Sequence, residues 1–152
     1  MMIKKLQHED YIKFKTSIQK LVSVSYYNNF NISQRLSNEI SNEKINQLEE
    51  YIKNEKAILI GAVKENKLIG LIWVYEHDYF GELRLHVNQV IVDVDHRKEG
   101  IGEKLILEVE KITKQLDIKV IDLFLTNSNY SAIKMYEKLG FKTERRYLKK
   151  DI

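Results

Sequence analysis

Two apolar, β-rich runs, ELRLHVNQVIVDV (82–94) and VIDLFL (120–125), flank a segment in which Ile101, Leu105, Ile106, Val109, Ile112 and Leu116 recur on one helical stripe. A strand, a helix and a second strand in this order imply parallel pairing through a right-handed crossover. The first run alternates and then turns almost continuously apolar, so its end is expected to be buried on both faces. The chain must therefore supply layers of structure on either side of this unit.

The rest of the sequence offers them. A short strand is expected around Ile3–Leu6, followed by a helix over Glu9–Val24 with Ile12, Ile18, Leu21 and Val22 at helical spacings. YYNNFNIS breaks that pattern with turn-favouring asparagines, and Ser33 can cap a second helix running to about Tyr51. AILIGAV (57–63) and LIGLIWVY (68–75), joined by KENK, carry the signature of a hairpin. A last helix over Ser131–Leu139 should stop at Gly140, where glycine fits a left-handed closing residue and Phe141 can pack back. The tail FKTERRYLKK is expected to add one or two strands. The whole reads as an α/β fold (α+β, mixed sheet): a central twisted sheet of six to seven strands flanked by about four helices, in a single domain over 1–152.

Composition narrows the chemistry. The chain has no proline and no low-complexity stretch to mark a linker. Without cysteine it can form neither disulfides nor thiolate metal sites, which is compatible with a reducing cytoplasm. The N-terminus MMIKKLQHED lacks an apolar signal core, and no run approaches the roughly 20 apolar residues of a membrane span. A cytoplasmic protein with no membrane partner is expected. The net charge of +3 is too small to argue for a nucleic-acid partner. It is concentrated in the tail, where Lys134, Lys138, Lys142, Arg145, Arg146, Lys149 and Lys150 outnumber Glu137, Glu144 and Asp151. That excess fits either a solvated surface or a rim that attracts a phosphorylated ligand.

Between the buried strand and the helix lies Arg97-x-x-Gly100-x-Gly102. Backbone N–H groups and the positive end of a helix bind phosphate in this context, and glycine removes the Cβ that would hold an anion away. The phosphate-loop pattern GxxxxGK[ST] is absent. Gly100, Gly102 and Asp122 imitate a dinucleotide fingerprint, but Leu105 replaces its third glycine and Asp122 lies inside its strand rather than at its end. A flexible turn and a close-approach turn both remain open on this motif alone.

VIVDVDHRKEGIGEKLI followed by VIDLFLTNSNYSAIKMYEKLGF resembles the Gcn5-related N-acetyltransferase (GNAT) superfamily, whose pattern is a strand, R/Q-x-x-G-x-G/A, a helix, a strand, and N-x-x-A-x-x-x-Y-x-x-x-G-F. Asn129, Ala132, Tyr136, Gly140 and Phe141 fall in register. The match covers about 82–145, and the earlier part agrees only in element order.

The resemblance implies acetyl-CoA as cosubstrate, with no metal. Its pyrophosphate would rest on the backbone of Arg97, Lys98, Glu99, Gly100, Ile101 and Gly102, its pantetheine along Val92 and Val94, and Asn129 would bind the pantetheine or organise the following turn. Tyr136 would be the general acid for the departing thiolate. His86 occupies the position where several branches carry a Glu or His base, whereas Asn88 and Gln89, where others carry carboxylates, cannot act as bases and could only hold a water. His8, His77 and His96 show no metal-ligand spacing. The expected reaction is direct transfer to a primary amine of a small molecule or peptide in a ternary complex. The alternative is a non-catalytic acyl-CoA-binding regulatory module. The acceptor pocket would draw on Tyr26–Ile32, Glu76–Glu82 and Arg145–Tyr147, and a homodimer follows from family habit alone.

Overall fold

The computed structural model describes residues 1–152. Its elements are β1 (Met2–Leu6), α1 (His8–Asn29), α2 (Gln34–Lys53), β2 (Ala57–Lys64), β3 (Lys67–Tyr79), β4 (Glu82–Val92), α3 (Ile101–Gln115), β5 (Ile121–Leu123) and α4 (Tyr130–Lys138). One sheet runs β1-β2-β3-β4-β5 in space. Its first three pairings are antiparallel, and β4 pairs with β5 in parallel across the α3 crossover.

Period-two alternation sorts the strand residues onto two apolar layers. Leu71 and Trp73 of β3 join Tyr11, Phe14 and Ile18 of α1 and Ile45 and Leu48 of α2. Ile72 and Val74 point the other way, onto Ile101, Leu105, Ile106 and Val109 of α3 and Tyr136 of α4. Leu116, expected to complete the α3 stripe, is instead the exposed C-cap.

Turn chemistry sets both hairpins. Glu65 and Asn66 (φ +49° and +62°) close β2 onto β3, and Phe80 and Gly81 (φ +52° and +89°) close β3 onto β4. Paired left-handed residues give the turn whose twist matches antiparallel strands. The region Glu76–Glu82 is therefore mostly strand rather than a loop.

One boundary differs from expectation for a visible reason. The helix α1 continues through the asparagines to Asn29, whose Nδ2 donates to Ser25 Oγ at 3.2 Å, while Tyr26 stacks on Phe30. Ser33 does cap α2, its side chain accepting from Leu36 N at 3.1 Å.

The expected six to seven strands are five. Residues 141–152 form no strand, and Tyr147 and Leu148 stay exposed. FKTERRYLKK surrounds its few apolar residues with charge, so it has little to bury, and β5 offers a ladder of only three residues to extend.

Candidate active site

The glycine turn is built from the end of β4. The strand stops at Val92, where Asp93 N donates to Ile69 O at 2.9 Å and the Asp93 side chain accepts from Asp95 N at 3.0 Å. Val94, expected on the strand, instead opens a short 3-10 turn through His96 and is exposed. Arg97 is extended, Lys98 is left-handed at φ +66°, and Gly100 is left-handed at φ +73° as the N-cap of α3. No side chain caps α3, so its first N–H groups have no side-chain acceptor, and Arg97 and Lys98 beside them are exposed.

Ile101 faces inward, buried against the sheet. Glu99 is exposed and Glu103 is tied to Lys138 at 2.9 Å. A Cβ at Gly102 would come within 3.3 Å of Met135 Sδ on α4, whereas one at Gly100 would meet nothing.

Beside this turn the sheet opens. The β4–β5 ladder spans only Leu85–Val87 against Ile121–Leu123, while β4 stays paired to β3 as far as Val92 opposite Gly70. From Asn88 to Val92 the edge of β4 that faces away from β3 therefore has no strand partner. Asn88 is the extra residue of a bulge, since Val74 pairs with Val87 and Trp73 with Gln89. A cleft of about 180 Å³ occupies the opening, lined by Asn88, Gln89, Asn129 and Tyr136 and closed on one side by Tyr26 and Phe30 at the end of α1.

Asn129 is the N-cap of α4, its side chain accepting from Ala132 N at 3.3 Å, so it organises the turn. Tyr136 is 7% exposed and meets Phe141 edge-on with ring centroids 5.2 Å apart. Burial pushes its phenol up to about 12. Gly140 at φ +90° ends the helix, and Phe141 N donates back to Tyr136 O at 2.9 Å.

His86 lies opposite Tyr75 in the sheet, only 8% exposed. Its Nδ1 is 2.8 Å from Asp122 Oδ1, and His77 Nε2 is 3.0 Å from each oxygen of the same carboxylate. Arg84, 6% exposed, adds Nη1 at 3.3 Å from Asp122 Oδ2 and forms a two-pronged pair with Glu144 at 2.6 and 2.8 Å. Sequence reasoning missed Asp122, His77, Arg84 and Glu144. The period-two pattern could have put His77, Arg84 and His86 on one face, but only the register across three strands and the path of the tail bring in Asp122 and Glu144.

The donor atoms of His77, His86 and Asp122 lie within 4.8 Å of one another, so histidines without metal spacing in sequence are gathered by the fold. One nitrogen of each histidine, Nε2 of His77 and Nδ1 of His86, stands at hydrogen-bond distance from the carboxylate, and Arg84 abuts it, so the carboxylate is satisfied within the cluster.

Of the expected acceptor groups, Tyr26 and Phe30 reach the cleft. Glu76 lines a separate, larger cavity of about 480 Å³ with Tyr51, Glu55 and Tyr75. Tyr147 is fully exposed and lines neither.

The sequence matches the model of the "Acetyltransferase (GNAT) family" over residues 17–141. A spermidine N(1)-acetyltransferase of Thermoplasma acidophilum is 27% identical over 93% of this chain and 88% of its own. The N-terminal acetyltransferase B complex catalytic subunit NAA20 of Arabidopsis thaliana is 42% identical over 42% of this chain. That match spans only 37% of the plant protein, and the one to a mycothiol acetyltransferase of Propionibacterium freudenreichii spans 27%. The crystal structure of an aminoglycoside acetyltransferase from an uncultured soil metagenomic sample superposes with a TM-score of 0.74 at 18% identity, over 99% of this chain and 94% of that one, a likeness of fold. With the family match running from α1 to the end of α4, the chain belongs to the GNAT acetyltransferase family.

Proposed function

We propose that this protein transfers an acetyl group from acetyl-CoA to a primary amine of a small molecule or peptide, by direct attack in a ternary complex. The observation that carries this reading is the unpaired edge of β4 from Asn88 to Val92, leading into a left-handed, uncapped helix start at Lys98–Gly102. An extended amide-bearing arm can pair with such an edge as a missing strand would, and a pyrophosphate suits the helix end beyond it. Arg97 and Lys98 supply positive charge there, and the backbone of Glu99 to Gly102 supplies donors.

Acetyl-CoA, when bound, supplies the acetyl thioester. Backbone N–H near Val92 then polarises the thioester carbonyl. A lysine-like amine of pKa about 10.4 is neutral in only about one molecule in 2,500 at pH 7, a handicap of roughly 4.6 kcal/mol, so a base is needed. His86 takes that role. Tyr136 holds its hydroxyl proton through neutral pH and donates a hydrogen bond to the departing sulfur. Full proton transfer from a phenol at about 12 to a thiolate near 8.5 is uphill by about 5 kcal/mol, which makes Tyr136 a stabiliser of that charge rather than its main proton source.

Calorimetric titration with acetyl-CoA tests the donor assignment. Wild type should saturate and Gly102→Glu should not, since a carboxylate would project from the first turn of α3 beside Met135. Equal, unsaturable heats for both proteins would sink it. A CoA-release assay over a panel of amines, peptides and aminoglycosides then identifies the acceptor class. Binding with no turnover on any member would assign a non-catalytic acyl-CoA-binding module instead.

A further inference from the structure

A partly buried polar cluster lies where β3, β4 and β5 meet the tail, with Asp122 at its centre. Burial alone would raise the Asp122 carboxyl, but hydrogen bonds from His86 and His77 outweigh it and hold the group below its ordinary 3.8. An ionised carboxylate only accepts hydrogen bonds. His86 must therefore carry a hydrogen on Nδ1, and His77 one on Nε2. A neutral imidazole carries one ring hydrogen, so Nε2 of His86 is left with its lone pair. That nitrogen has no partner in the chain and is not among the fully occluded unpartnered atoms, which are His8 Nε2 and His96 Nδ1.

We propose that Asp122 is the positioning residue for His86: it locks the ring in the Nδ1–H tautomer and so presents Nε2 as the nitrogen that takes the proton of the acceptor amine. The inference rests on the acetyl-transfer reading and names the atom that serves it. As the N–C bond to the acetyl group forms and the C–S bond breaks, sulfur keeps the bonding electron pair and the amine proton passes to Nε2. The imidazolium so formed has Asp122 as counter-charge at 2.8 Å. The proton is then passed to the thiolate, directly or through water, leaving amide and CoA thiol.

Arg84 keeps the carboxylate in place. It bonds Asp122, Glu82 at 2.6 Å and Glu144, and its guanidinium lies 3.8 Å from the Tyr79 ring. The titratable and charged groups facing the pair are Tyr75 and His77 from β3, Glu82 and Arg84 from β4, and Glu144 from the tail.

The test is a long-range proton–nitrogen NMR spectrum of the full chain with ¹⁵N-labelled histidine, assigned with His77→Gln and recorded without ligand at a pH where His86 is neutral. His86 should appear as the Nδ1–H tautomer and lose that preference in Asp122→Asn. The Nε2–H tautomer in wild type overturns the proposal, and that measurement needs no variant that has to fold. With an acceptor from the amine panel, Asp122→Asn should lower kcat by about 10- to 100-fold and leave acetyl-CoA affinity within a few fold. Zinc that binds one per chain, abolishes the Nδ1–H signal and raises turnover would overturn it in favour of a metal centre. Failure of acetyl-CoA to bind wild type would remove the acetyl-transfer reading and the catalytic role together, while the tautomer would still be read from the spectrum.

Discussion

At Gly100 the backbone is left-handed, φ +73°, with open space where a Cβ would project. An alanine there clashes with nothing and meets the strain of a left-handed residue, about 1–2 kcal/mol. Gly102 is helical, and an added Cβ would press on Met135 Sδ, in a flexible side chain that can give. Gly100→Ala should therefore lower stability by about 1–2 kcal/mol in urea denaturation and weaken acetyl-CoA binding, while Gly102→Ala stays within about 1 kcal/mol of wild type. Equal loss of acetyl-CoA affinity at both positions would show that one cause, close approach to the ligand, governs both. The paired glycines were legible as a special turn. Their separate reasons were not, because one depends on a dihedral angle and the other on a side chain 33 residues later in α4.

At the scale of elements, α4 could be read from end to end. Asn129 caps it, Gly140 closes it and Phe141 packs back on Tyr136. Each of these is a local signal, settled within a turn of helix. Asn129→Ala should cost about 1 kcal/mol in thermal or chemical denaturation through the lost bond to Ala132 N. An acetyl-CoA affinity that changes by no more than a few fold would confirm capping as its role; a loss of a hundredfold with unchanged stability would make Asn129 a pantetheine ligand. The strand β5 shows the opposite case. VIDLFL offers six residues, five of them apolar, yet only Ile121–Leu123 pair, and Phe124 is 93% exposed. The length of a ladder depends on its partner as well as its own residues, and β4 bulges at Asn88 just where β5 would continue. The cleft exists because of that mismatch between two strands more than 30 residues apart.

For the whole molecule, the Arg84 cluster ties the tail beyond Phe141 to the sheet. The tail residue Glu144 is held to β4 by two short bonds, and through Arg84 it reaches Asp122 on β5 and, beyond it, His77 on β3. Arg84 is buried, so a lost partner leaves its charge less compensated. The Arg84 guanidinium holds the Glu144 carboxyl below its ordinary 4.5, against a smaller opposing effect of burial. A carboxyl with a depressed folded-state pKa stabilises the fold fully above its unfolded value and loses that contribution as pH falls through the folded one. Glu144→Gln should accordingly unfold at a lower urea concentration than wild type, by a margin that is constant above about pH 5.5 and shrinks as pH falls below about 4.5. The tail of the variant should also exchange its amide hydrogens and be cut by protease faster at pH 7, with β2 and β3 unaffected. A margin that stayed constant down to pH 3 would mean that Glu144 acts by shape rather than charge, and that the tail is held to the sheet by something other than Arg84.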